Sequence, residues 1–179
     1  MEKSRNKLTF YYLGLVVLGV LARWLPHLPN FTPTGSIAFF SGNRLAPKAL
    51  AYAIPLLIMF FSDILLGWHN NILFVYGSFL VSVVLGQVFR GSTPKIALGL
   101  TLSSVNFFVV TNFGVWLTSP MYPPTLGGLS LCYVAAIPFF VNELAATLIY
   151  GGIFFGVARL IEKKIQTVAI GARPSPLNP

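Results

Sequence analysis

Apolar residues come in long, nearly unbroken runs along this chain, and the lengths of those runs set the first reading. They extend from Leu8 to Leu25, Phe31 to Gly42, Ala46 to Gly67, Ile72 to Val88, Ile96 to Leu117, and Leu129 to about Ile161. All but the second come close to, or exceed, the roughly 20 apolar residues that a helix needs to cross a hydrocarbon core of about 30 Å. Backbone polar groups inside lipid must be satisfied within the segment, so such runs fold as helices. The loops between them are brief: Asn43-Arg44, Trp68 to Asn71, Arg90 to Pro94, and the proline-rich Ser119 to Gly128. The pattern predicts an all-α, polytopic membrane protein of six transmembrane helices with a short second helix. It forms one domain over 1–166, followed by a flexible C-terminal tail over 167–179.

The second run is the irregular one. Between Leu21 and Arg44 the chain passes three prolines, Pro26, Pro29 and Pro33, which remove backbone donors and exclude one continuous helix. Thr32-Pro33 then reads as a helix start, a capping hydroxyl followed by proline in the first turn. At about 1.5 Å per residue the run spans only some 20 Å as a helix. Extended chain must complete the crossing, which is tolerable only beside protein or a watery cavity. The same stretch gathers Arg23, Trp24, His27 and Asn30 next to a helix N-terminus, whose outward N–H groups favour anions. A short, broken crossing of this kind is where transport proteins often bind substrate.

Composition agrees with the pattern: 55% hydrophobic residues, 9% charged, and a mean hydropathy of +0.77. Soluble domains carry about 25% charged residues. The formal charge of +8 does not point to nucleic acid, because the basic residues sit in short clusters between apolar runs and form no basic face. They act as topology markers. With six crossings, one side receives Lys3, Arg5, Lys7, Arg44, Lys48, Arg90, Lys95, Arg159, Lys163, Lys164 and Arg173, leaving only Arg23 of the twelve opposite. The positive-inside rule then places both termini in the cytoplasm, in a multi-pass protein of the plasma (inner) membrane. The basic start and apolar stretch to Trp24 resemble a signal peptide but lack a small-x-small cleavage site, so they read as an uncleaved first helix. No GxxxxGK[ST], HExxH, GxSxG or CxxC occurs, so nothing signals ATP hydrolysis, zinc proteolysis, serine hydrolysis or a resident metal. The reading is a protein that is not an enzyme and carries no cofactor.

The embedded polar residues are the candidate chemistry. Arg23 lies sixteen residues after Lys7, and Asp63 fifteen after Lys48. At helical rise both fall about 22–24 Å from the basic side, so they are plausible partners in an ion pair. That pair can serve a ligand or simply hold the first helix against the third. Glu143 lies deeper and forms a stripe with Thr147 and Tyr150. Asn106, Asn142 and Glu143 share a similar depth, as interhelical hydrogen-bond glue or as the floor of a polar cavity. Small-residue pairs, Gly152-x-x-x-Gly156 and Ala38-x-x-x-Gly42 among them, mark expected close helix packing. The outer loops add His69, Asn112, Trp116, Tyr122 and, just inside, Cys132. Arg23, His27, Asn30, Asp63, His69, Asn112, Trp116 and Tyr122 are the candidate substrate-binding residues. His69 and Cys132 are the side chains there that could meet a metal-bearing ligand.

Several segments carry a resemblance: RxxPHxPNFTP (Arg23 to Pro33), SDxxLGxH (Ser62 to His69), TNFGVW (Thr111 to Trp116) and MYPxTxxGLxxCYxAAxPFFxN (Met121 to Asn142). Together they are similar to a family of small bacterial six-helix membrane proteins. That family in turn resembles, in size, topology and helix-length pattern, the substrate-binding (S) components of energy-coupling-factor vitamin transporters. The resemblance implies an S-component-like fold with an outward-facing pocket for a vitamin or other small molecule, surrounded by membrane lipid. It also implies partners, a transmembrane coupling protein and ATPases of an energy-coupling module. The first helix departs from the AxxxA docking pattern of S components, since Gly14 is followed at +4 by Leu18. The alternatives are a non-transporting membrane scaffold or assembly protein, and a membrane-embedded enzyme.

Overall fold

In the computed structural model the backbone is described for residues 2–171 and the side chains for residues 13–163. The chain is all-helical, with six helices: α1 (Glu2–Trp24), α2 (Thr34–Arg44), α3 (Lys48–Leu66), α4 (Ile72–Val88), α5 (Thr93–Thr118) and α6 (Leu126–Gly171). Helices α3 and α5 and the Leu126–Lys163 part of α6 are long and apolar enough to cross a membrane. The described part of α1, Leu13–Trp24, and α4 are shorter apolar helices. The exterior of the bundle is apolar, as a surface facing hydrocarbon requires, with Val17 and Leu21 of α1, Phe61 and Ile64 of α3, and Val134 and Val141 of α6 exposed. Of the expected tail, 167–171 continue α6 as helix and 172–179 lie outside the described residues. The side chains of the topology markers Lys3, Arg5, Lys7, Lys164 and Arg173 also lie outside them.

The short helix α2 is the axis of the fold. It touches each of the other five helices, and its residues from Thr34 to Asn43 are all buried. Its sequence explains this. Ile37, Ala38, Phe39 and Phe40 point in turn around the helix, so α2 has no polar face to offer to a surface. Ile37 packs with Leu15, Ile54 and Ile58 between α1 and α3. Ala38 joins Ala51, Met59, Phe79 and Val83 between α3 and α4. Phe39 and Phe40 join Ile96, Leu100 and Phe155 between α5 and α6. Around this axis α1 packs on α3, α3 on α4, α4 on α5, and α5 on α6.

The approach of α2 to α4 is backbone to backbone. A Cβ on Gly42 would run into the Val83 carbonyl, and one on Gly86 into the Phe39 carbonyl, so glycine at both positions is what lets the helices touch. The expected closeness at Ala38-x-x-x-Gly42 is thus directed at α4. Gly152 and Gly156 are different: a Cβ on either would meet open space, so that pair marks no close packing within the described residues. The ends of α2 and α4 cap each other. Asn43 Nδ2 donates to the Gly86 and Phe89 carbonyls at 3.0 and 2.9 Å, and Arg90 Nη2 donates to the Gly42 carbonyl at 2.9 Å. These donors satisfy carbonyls that a helix C-terminus leaves unpaired. Arg44 pairs with Glu162 of α6 at 2.7 Å, fixing the same end of α2.

Candidate functional site

At the opposite end α2 begins well inside the bundle. The chain reaches it through a loop whose turns are closed by Phe31 N–H to the Leu28 carbonyl and Thr32 N–H to the Asn30 carbonyl. Asn30 adopts a positive φ of 61°, a conformation that asparagine tolerates better than most residues. The helix starts one residue later than its capping pattern suggests. Pro33 occupies the N-cap position with no side-chain cap, and the Thr32 hydroxyl turns instead to Thr34 Oγ1 at 3.3 Å. The expectation of a Thr32 cap is corrected accordingly: Ile37 N–H donates to the Pro33 carbonyl at 2.8 Å, and the Thr32 hydroxyl is turned to Thr34. The backbone N–H groups of the first turn have no intrahelical acceptor, as in any helix.

A hollow of about 320 Å³ opens above this N-terminus. All six helices or their connections border it: Arg23 from α1, His27, Asn30 and Thr32 from the loop, Gly35 from α2, Leu66 from α3, Phe79 from α4, Phe107 from α5 and Glu143 from α6. A second chamber of about 210 Å³ lies between α4, α5 and α6, bordered by Asn71, Thr111, Asn112, Phe108 and Phe140. Asn30, Phe107 and Glu143 line both chambers and so form the seam between them. The first chamber is of the size that small-molecule sites begin at, and the mix of aromatic walls with a few polar groups is their usual chemistry.

One wall of the hollow is a polar network. Arg23 Nη2 meets Asp63 Oδ1 at 3.0 Å, and Arg23 Nε donates to Ser62 Oγ at 2.7 Å. Tyr76 from α4 donates to Asp63 Oδ2 at 3.0 Å, and His69 Nε2 lies 3.9 Å from the same oxygen. Asp63 is 1% exposed, so the burial of its carboxylate is compensated on both oxygens. The network clamps α1, α3 and α4 together at the end where α2 leaves a gap, and it balances the charge of Arg23.

The other wall belongs to α6. Glu143 is 8% exposed, and its Oε1 accepts from Thr147 Oγ1 at 2.8 Å, within the same helix. Its Oε2 has no hydrogen-bond partner. A Cβ on Gly35 would lie 2.8 Å from Thr147 Oγ1 and 3.1 Å from Glu143 Oε1, so the start of α2 rests directly on this pair. Asn142 Nδ2 donates to the Pro29 carbonyl at 3.1 Å and ties the loop to α6.

The sequence-derived candidates therefore divide. Arg23, His27 and Asn30 border the first chamber, and Asn112 borders the second. Asn112 Nδ2 donates to the Phe108 carbonyl of its own helix at 2.7 Å. Asp63 and His69 stand behind Arg23 and line neither chamber. Trp116 and Tyr122 do not line them either. Trp116 Nε1 donates to the Pro123 carbonyl at 2.9 Å, which spends its polar atom on the α5–α6 loop. Asn106 bonds across to the Ser78 carbonyl of α4 at 3.3 Å, a helix-to-helix tie. Cys132 is buried with Sγ 3.4 Å from the Asn112 carbonyl, so it and His69 have separate partners. Among the described residues no group of three histidine, cysteine or acidic side chains is placed to hold a metal ion.

Three residues enter the site that the sequence reading did not select for binding. Glu143, read as structural or as a cavity floor, lines both chambers. Asn71 sends Nδ2 across to the Thr111 carbonyl at 2.9 Å, leaving Oδ1 buried and unbonded beside the second chamber. It stands at the N-cap of α4, where its side chain makes no capping hydrogen bond. Phe107 is one apolar residue in a long apolar run, and nothing in the pattern singles it out.

Residues 3–169 match the model of a family described as "Family of unknown function (DUF6580)", and the chain belongs to that family. No curated protein and no solved structure matches the chain.

Proposed function

We propose that this chain is the membrane-embedded substrate-binding component of an uptake system for a vitamin or other small molecule, holding its ligand without covalent chemistry. The observation that carries the reading is the two-chambered hollow above the N-terminus of α2. Its walls combine Arg23, Asn30, Asn112 and Glu143 with phenylalanines from α4, α5 and α6. A helix of eleven residues is about 17 Å long and cannot fill a membrane-thick bundle alone, so a space remains at the end where it stops short.

In this reading all six helices cross the plasma (inner) membrane and both termini are cytoplasmic. The basic side chains Arg44, Lys48, Arg90 and Lys95 lie at the ends of α2 to α5 away from the hollow, and Arg159 lies on α6 one turn before Glu162, the partner of Arg44; this supports an outward-facing site under the positive-inside rule. The architecture proposed is that of an S component, with a transmembrane coupling protein and ATPases as partners and lipid around the apolar exterior.

Thermal unfolding of the purified protein in detergent, across a panel of vitamins and metabolites balanced in cationic, neutral and anionic members, tests the proposal. A concentration-dependent rise in Tm with one chemical class supports it. No shift with any member contradicts it and leaves a scaffold role, in which the same polar residues only hold helices together.

A further inference from the structure

Among the described residues, Glu143 is the acidic side chain that the fold leaves without a cation. Of the four acidic residues in the chain, Asp63 pairs with Arg23, Glu162 pairs with Arg44, and the side chain of Glu2 is outside the described residues. Glu143 forms no ion pair among the described residues. It bonds only to Thr147 through Oε1, and Oε2 is buried without a partner. Ser104 of α5 faces the same carboxylate, yet its hydroxyl makes no hydrogen bond of good geometry. A carboxylate held in a low-dielectric interior is costly until a cation or a proton neutralises it.

The groups that would draw an anion into the hollow are already occupied. Arg23 gives Nε to Ser62 and Nη2 to Asp63, so its charge is balanced before any ligand arrives. The N-terminus of α2 rests on Glu143 itself, and the carboxylate answers the positive end of that helix. The charge the hollow has left to offer is negative, and it stands at the seam of the two chambers beside Phe107. Phe79 lines the first chamber, and Phe108, Phe139 and Phe140 line the second. Aromatic rings attract cationic nitrogen, most strongly where water is excluded.

We infer that the hollow takes an organic cation: a protonated or quaternary nitrogen carried on a flat apolar group, with the nitrogen against Glu143 and the apolar group between the phenylalanines. This rests on reading the hollow as a substrate site, and it specifies the charge of that substrate.

The test uses the full chain in detergent and three probes of nearly one shape: benzylamine, benzyl alcohol and benzoate. The expected result is a rise in Tm of roughly 5–10 °C with benzylamine at about a hundredfold excess over its Kd, and no shift with the other two. Glu143→Gln is expected to weaken the benzylamine response at least tenfold, and Glu143→Asp to retain part of it. Stabilisation by benzoate or benzyl alcohol but not benzylamine overturns the cation inference while leaving a binding site in place. An undiminished benzylamine response in Glu143→Gln also overturns it, and points to a carboxyl neutralised by a proton alone. Should Glu143→Gln fail to fold, the three-probe comparison on the unaltered protein decides. No shift with these probes or with the metabolite panel overturns the binding-component reading as well.

Discussion

Gly35 at the start of α2 and Glu143 in the middle of α6 are packed so closely that a methyl group on Gly35 would stand 3.1 Å from the Glu143 carboxylate and 2.8 Å from the Thr147 hydroxyl. The relationship fixes where α2 begins, and hence the floor of the hollow. Gly35→Ala must push the Thr147 hydroxyl aside, and overpacking of this kind costs about 1–3 kcal/mol. Gly35→Val is expected to cost more and to displace Glu143 from the seam. Chemical denaturation of the two variants checks the order. A Gly35→Val protein as stable as the parent would mean that α2 does not rest on α6.

The Arg23–Asp63 pair closes the same end of the bundle. Arg23→Ala leaves a carboxylate that is 1% exposed without its cation, an arrangement that costs about 3–5 kcal/mol when a buried partner is removed. Tyr76→Phe removes one hydrogen bond to Asp63 and is expected to cost about 1 kcal/mol. Combining Arg23→Met with Asp63→Leu should restore most of the stability, since it removes both charges together. A double-mutant cycle measures the coupling. If Arg23→Ala alone is neutral, the network does not hold α1 against α3.

Two kinds of glycine should behave oppositely. Gly42→Ala and Gly86→Ala each drive a Cβ into a backbone carbonyl of the neighbouring helix, which cannot rotate away, and each should cost at least about 3 kcal/mol. Gly152→Ala adds a methyl group in open space and replaces a poor helix former, so it should be neutral or stabilising by up to about 1 kcal/mol. Thermal unfolding of the three variants checks this. A destabilised Gly152→Ala would reveal a surface packed against something beyond this chain.

Helix placement was legible in the sequence wherever a helix is simply an apolar run. The run from Ile72 to Val88 coincides with α4, and the runs in 46–67 and 96–117 lie within three residues of the bounds of α3 and α5. The Arg23–Asp63 meeting was also legible, because counting residues from a basic boundary converts sequence into depth. What could not be read is how non-neighbouring helices cross. The contact of Gly35 with Glu143 joins positions more than a hundred residues apart, and no periodicity encodes it. Trp116 looked like a pocket residue because it is aromatic and near an end of its run. Its indole N–H is instead satisfied by the Pro123 carbonyl, a loop detail invisible before the chain is folded. Asp63 and His69, read as pocket residues, line neither chamber: Asp63 holds the Arg23 guanidinium, and His69 lies against Asp63.

The account depends on a hollow above α2 that is open to water from the side opposite the basic residues. Thr32 borders that hollow, whereas Ala38, one turn into α2, is fully buried. With the buried Cys132 replaced by serine, Thr32→Cys and Ala38→Cys can each be exposed, in intact cells, to a membrane-impermeant methanethiosulfonate reagent. The account requires the cysteine at position 32 to react roughly tenfold faster than that at 38, or more. Equal, slow reaction at both positions, or reaction at 32 only when the reagent reaches the cytoplasmic side, would contradict it.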